Sequence, residues 1–179
     1  MDLLDAIQRQ RPCRLFSPKP VPEEALHRVL NATRMSTSVG NQQPWRFIVV
    51  RNEDIKGKLA QAFTNGGFLR TAPVVVVALG VEGERPAMVG GYMLSFLLDV
   101  AASIQTFILA ATAEGLGTCW LTDFKEDRVI ELFQLPEGVH VVGMLPLGFP
   151  VPEPNGNGAK DTNGRKSLSE IMSFERFSW

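Results

Sequence analysis

The sequence is poor in cysteine and histidine. Cys13 and Cys119 lie far apart in a chain of 179 residues with no Cys-His cluster around them, so neither a disulfide framework nor a zinc site is signalled. No metal is expected, and a reducing cytoplasm suits this cysteine usage. His27 falls in a helical pattern and His140 in a strand pattern, which leaves a Ser-His-Asp hydrolase short of bases. No sign of charge dominates: Lys+Arg 18 against Asp+Glu 19 gives a net charge of -1, too balanced to steer nucleic acid or an anionic membrane by bulk field. Neither is expected as a partner. Residues 1–5 lack a basic start followed by an apolar run, so no secretory signal is expected. Gly115-Leu116-Gly117 lacks the third glycine of a dinucleotide fingerprint, and there is no Walker-type lysine loop, zincin helix or internal repeat.

What is present is an ordinary globular composition, 45% hydrophobic and 21% charged, in a chain long enough to bury a sizeable core. A single domain over residues 1–179 is expected. Leu3, Leu4 and Ile7 keep helical spacing, and Pro22-Glu23-Glu24 opens a second helix with proline and carboxylates in its first turn. After Pro44, Trp45–Val50 reads as a strand, and 74–79 as a strand covered on both faces. Ile55, Leu59, Ala62 and Phe63 mark a helix between them. Residues 118–121 and 139–147 read as strands, Glu126–Phe133 and 167–174 as helices. Four strands mixed with five or six helices, not strictly alternating, predict an α+β layer.

Residues 92–113 form a long apolar stretch, which raises the question of a membrane span. Asp99, Gln105 and the hydroxyls of Ser95, Ser103 and Thr106 interrupt it, and no basic flank follows, so a buried core helix is the reading. Ser95, Asp99 and Ser103 recur at every fourth position, leaving a narrow polar stripe on a helix otherwise apolar, which predicts enclosure nearly all round and a subunit interface on part of its surface. Residues 150–164 hold three prolines, three glycines and three asparagines and read as a flexible linker ahead of a C-terminal arm, 165–179.

Four clusters remain: Gln10-Arg11-Pro12-Cys13-Arg14, the segment Ser38-Val39-Gly40-Asn41-Gln42-Gln43-Pro44-Trp45-Arg46-Phe47, Gly115-Leu116-Gly117-Thr118-Cys119-Trp120, and Gly164-Arg165-Lys166. In this order and spacing the chain resembles the nitroreductase family of FMN-dependent oxidoreductases over nearly its whole length. The resemblance implies an α+β fold with a central, mostly antiparallel sheet flanked by helices, a long buried central helix, and a homodimer with FMN at the subunit interface. It implies hydride transfer from NADH or NADPH to flavin N5 and then, in a second half-reaction, reduction of a small-molecule electron acceptor such as a nitroaromatic or quinone. The rival readings are a specialised member that cleaves flavin or dehalogenates, and a flavin or deazaflavin binding module or accessory subunit without turnover.

The site residues follow from the resemblance together with what such a cofactor requires. A phosphate dianion wants planar guanidinium donors, and a reduced flavin carries negative charge near N1 and O2. Arg11 and Arg165, with Lys166 nearby, are expected at phosphate and ribityl oxygens, and Arg14 at the pyrimidine side. Ser38, Asn41 and Gln43 are expected at the polar edge, from the second subunit. Trp120, Leu121, Thr122 and Asp123 are expected to flank the ring and to offer backbone amides to N5. Trp45 reads as core, the two cysteines as small buried hydrophobes. No side chain is required as a general acid, since flavin N5 carries the chemistry. Gln10 stands where many members have arginine and Pro12 where many have serine, so phosphate binding is expected to lean on Arg165. The short connection 81–91 leaves the site either open or completed by a partner.

Overall fold

An unbroken apolar strand is stable only where both faces are covered, and β2 (Val74–Val81) is such a strand, buried along nearly its whole length in the computed structural model, which describes residues 1–64, 66–83, 87–151 and 165–177. It pairs antiparallel with β1 (Trp45–Val50) on one side and with β6 (Val139–Gly148) on the other, with a bulge at Ala78/Leu79. β5 (Gly117–Thr118) closes the order β1-β2-β6-β5. A separate two-stranded ribbon joins β3 (Met88–Val89) to β4 (Met93–Leu94).

Alternate residues of β2 feed two cores, as the period of a strand requires. Val74, Val76 and Ala78 pack with Leu26 and Val29 of α2 (Glu23–Thr33) and with Ile104 and Phe107 of α4 (Ser95–Ala113). Val75, Val77 and Leu79 pack on the opposite side with Leu59 of α3 (Glu53–Gln61), Leu69, and Val129 of α5 (Glu126–Phe133). Asp2 caps α1 (Leu3–Arg9) by accepting the Asp5 amide at 2.8 Å, and Asn52 caps α3 through the Ile55 amide at 3.0 Å.

Three expectations need correction. The long helix starts at Ser95 rather than at residue 92, because Met93 and Leu94 pair with Met88 and Val89 instead. Its polar stripe faces inward: Ser95, Asp99 and Ser103 are buried, while Leu97 and Leu98 are 40% and 46% exposed. Burial of the stripe is offset in part: Asp99 Oδ1 accepts the Val39 amide at 3.0 Å and the Ser103 hydroxyl donates to the Val100 carbonyl at 2.7 Å, while Ser95 Oγ and Asp99 Oδ2 are buried without a partner. The helix is long and apolar enough by length and composition to cross a membrane, yet one side of it packs on α2, α1 and the sheet. Finally, 167–174 yields only one helical turn, α6 (Leu168–Ile171), held by a Ser167/Glu170 capping box. Leu168, Ile171 and Phe174 are exposed, so no apolar contact extends it. Of the expected linker 150–164, residues 152–164 lie outside the described residues.

Candidate functional site

The basic segment near the start of the chain is laid against the sheet edge by backbone pairing. The Cys13 amide donates to the Thr118 carbonyl at 3.0 Å, Pro12 forms a parallel bridge with Thr118, and the Ser17 amide donates to the Phe149 carbonyl at 2.8 Å. Arg11 and Arg14 therefore flank β5. Arg165, from the other end of the sequence, joins them around one cavity of about 370 Å³, together with Pro12, Thr118 and Trp120. Among the described residues no aspartate or glutamate lines it.

The three guanidiniums are held differently. Arg11 Nη1 donates to the carbonyls of Gln8 and Gln10 at 2.9 and 2.7 Å, bracing it against the end of α1. Arg14 and Arg165 pair with no carboxylate among the described residues. Arg14 and Arg165, gathered here with Arg11, make a local positive field in a chain whose net charge is near zero. On the same wall the Thr118 hydroxyl is buried without a hydrogen-bond partner, an orphan group of the kind that a ligand satisfies. Gln10 accepts a hydrogen bond from Gln105 Nε2 of α4 at 2.9 Å, and both line the cavity as uncharged groups.

A second cavity of about 280 Å³ shares Arg14 and Trp120 with the first and continues past Leu121, Thr122 and Asp123 toward Phe63 and Phe68. Trp120 is fixed by donating its indole N–H to the Val142 carbonyl at 3.2 Å, with its ring over Gly143. A Cβ at Gly143 would collide with that indole, so only glycine permits the stacking. Leu121 and Met144 exchange backbone hydrogen bonds at 3.0 and 3.1 Å. The Leu121 amide is thus committed to the sheet, whereas the amides of Thr122 and Asp123 make no hydrogen bond among the described residues. Of the three expected amide donors, those two are available.

Ser38, Asn41 and Gln43 line neither cavity. Their loop is pinned to α4 by Asp99 and folded upon itself: the Gln43 amide donates to the Ser38 hydroxyl at 2.9 Å and Gln43 Nε2 to Asn41 Oδ1 at 3.2 Å. Asn41 and Gln43 adopt left-handed backbone, with φ of 56° and 48°, a conformation that persists where neighbouring contacts dictate it. Lys166 follows Arg165 but does not line the cavity. Trp45 is buried in the core, as its sequence context predicts. Cys119 lines the first cavity, but burial pushes its thiol up to about 11, an effect the nearby Arg14 opposes only in part. It is a protonated thiol at neutral pH, unsuited to nucleophilic work. Gln105, Ile108, Phe63 and Phe68 also line the two cavities without having been singled out for them, and a lone amide in an apolar helix is the only sequence signal that Gln105 offered.

The profile of the nitroreductase family matches residues 7–67 and 63–149. A Methanothermobacter thermautotrophicus protein provisionally named NADH dehydrogenase/NAD(P)H nitroreductase is 33% identical over 159 residues, 86% of this chain and 80% of that protein. A nitroreductase family protein of Clostridium difficile 630 superimposes with a TM-score of 0.85 at 26% identity, over 99% of this chain and 100% of the other. An FMN-dependent nitroreductase of Clostridium difficile R20291 shares the fold, with a TM-score of 0.80 at 20% identity over 97% and 99% of the two chains. With the family model matched over most of its length and a relative 33% identical over 86% of it, the chain belongs to the nitroreductase family.

Proposed function

We propose that this chain is an FMN-dependent oxidoreductase that uses NADH or NADPH to reduce a small acceptor such as a nitroaromatic or quinone, in two half-reactions at one site. The observation that carries this reading is the cavity where Arg11, Arg14 and Arg165 converge beside an orphaned Thr118 hydroxyl. That donor set fits a ligand bearing a phosphate and an electron-rich heterocycle. When bound, FMN would supply the two-electron chemistry that no side chain here provides.

The residues bind, orient and shield. Arg11 and Arg165, with Lys166 close by in sequence, would hold the phosphate and ribityl oxygens, and Arg14 would face the pyrimidine side and balance negative charge there. Pro12 and Thr118 form the floor, and Trp120 separates the first cavity from the second. The free amides of Thr122 and Asp123 are fixed donors beside the reacting edge, which stabilise charge without reorganisation. The second cavity, open beyond Trp120, is the place for nicotinamide and acceptor in turn.

The same reading makes the protein a homodimer. Leu97 and Leu98 of α4, Leu3 and Leu4 of α1, and Phe174 and Phe177 near the end of the chain expose large apolar side chains, more than a monomer ordinarily leaves in water. Pairing through α4 would also let Ser38, Asn41 and Gln43 of a second subunit complete the site. We place the protein in the cytoplasm, acting on small molecules rather than on membrane or nucleic acid. Anaerobic NADH or NADPH added to the yellow holoprotein should bleach its visible absorbance, and a nitroaromatic or quinone should restore it. Binding without bleaching would identify a flavin-binding module instead.

A further inference from the structure

We infer that Arg70 is an anion subsite for the phosphate groups of the nicotinamide donor, an inference that rests on the proposed FMN-dependent activity and extends it to a residue outside the flavin cavity. Next to the second cavity lies an open groove of about 560 Å³, and Phe63, Thr64 and Phe68 line both. Arg70 lies on this groove, at the end of the 3₁₀ turn Gly67–Arg70, and no carboxylate lines it among the described residues. The guanidinium makes no ion pair or hydrogen bond among the described residues, unlike Arg28 with Glu114, Arg51 with Glu23 or Arg128 with the Gln61 carbonyl.

Its position is built rather than incidental. The Arg70 guanidinium lies over Gly57 of α3, where an added Cβ would stand 3.0 Å from Nη2. A glycine inside a helix is less favourable than alanine, and here it lets the cation rest against the helix backbone. The turn that carries Arg70 is fastened from below by Lys56, a buried ammonium that donates to the Ala72 carbonyl at 2.7 Å and pairs with Glu53 at 2.8 Å. Arg70 is thereby a preorganised, solvent-facing cation at the far end of a path that starts at Arg14 and Trp120.

A nicotinamide dinucleotide has the matching layout. Its nicotinamide must enter the second cavity beside Thr122 and Asp123, and its phosphates lie several bonds away, beyond an apolar rim that Phe63 and Phe68 provide. A guanidinium is suited to phosphate oxygens by its planar fork. The pyrophosphate is common to NADH and NADPH, and the 2′-phosphate is present in NADPH alone, so the two sources of the same chemistry are separable.

The experiment uses the FMN-loaded protein and its Arg70→Gln and Arg70→Lys variants. Pre-steady-state flavin reduction is followed with NADH, NADPH and the phosphate-free donor 1-benzyl-1,4-dihydronicotinamide, and ADP-ribose binding is measured by calorimetry. Loss of one charge-assisted contact should raise the half-saturating dinucleotide concentration and the ADP-ribose Kd about tenfold or more in Arg70→Gln. Arg70→Lys should recover part of this, and the benzyl donor should be affected far less than the dinucleotides. An effect on both dinucleotides assigns the pyrophosphate, and an effect on NADPH alone the 2′-phosphate. Equal losses with all three donors, or no loss with either dinucleotide, would overturn the assignment. Absence of FMN binding in the unaltered protein would instead sink the underlying activity, and a direct FMN titration reports that separately.

Discussion

The Cys13 amide and the Thr118 carbonyl are joined by a hydrogen bond of 3.0 Å, and through it the basic segment around Arg11 and Arg14 becomes an extra edge of the sheet beside β5. This contact turns a sequence cluster into a wall of the cavity. It also brings Thr118, whose hydroxyl is buried and unpartnered, to the cavity that Arg11 and Arg165 line.

Gly143 should tolerate no side chain. Gly143→Val would force the Trp120 indole from its bond to the Val142 carbonyl, and the expected outcome is weakened flavin binding with altered tryptophan fluorescence. A variant with unchanged emission and unchanged FMN affinity would show that Trp120 does not shape the site.

The exposed leucines of α4 should govern assembly. Leu98→Glu places a carboxylate in what the proposed dimer buries, at a cost of several kcal/mol, so sedimentation should report monomers. FMN should be lost with the dimer if Ser38, Asn41 and Gln43 act across the interface. A monomer that retains full FMN affinity would confine the site to one subunit.

Arg28 and Glu114 tie α2 to the end of α4 through two contacts of 2.8 Å, and the Arg28 guanidinium holds the Glu114 carboxyl below its ordinary value. A folded-state value depressed in this way contributes stability above the unfolded value, about 4.3 for a glutamate, and loses it as pH falls through the folded one. Glu114→Gln should therefore lower Tm at neutral pH and narrow the gap to the unaltered protein as the solution is acidified below about pH 4. A gap that stays constant with pH would remove the ion pair from the account.

Arg165→Ala removes one charge-assisted contact worth about 1.5 to 3 kcal/mol, so FMN should bind about tenfold to a hundredfold more weakly. Fluorescence titration of the apoprotein reads this directly, and an unchanged Kd would discard the assignment.

Much of the fold was legible from local pattern. Trp45–Val50 and Glu126–Phe133 begin and end where their apolar spacing says, because Pro44 and the first-turn carboxylates Glu126 and Asp127 punctuate them. The errors arise where distant residues decide. Residues 93–94 leave the helix because 88–89 offer a strand partner, and no local signal announces that pairing. Nor does the sequence say what meets the stripe of Ser95, Asp99 and Ser103, since the Val39 amide arrives from a distant loop to meet Asp99. The basic clusters were legible as chemistry, since arginines in glycine- and proline-bounded segments suggest an anion. Lys56 and Arg70 were not, because a buried lysine and a cradled arginine become distinctive only when Gly57 and Ala72 are brought beneath them.

The most direct test compares FMN with riboflavin, which lacks the phosphate, by calorimetric titration of the apoprotein. Guanidiniums that gather to hold a phosphate should favour FMN by roughly a hundredfold or more. Equal affinity for the two flavins would contradict the account, since the convergence of Arg11 and Arg165 would then serve no phosphate.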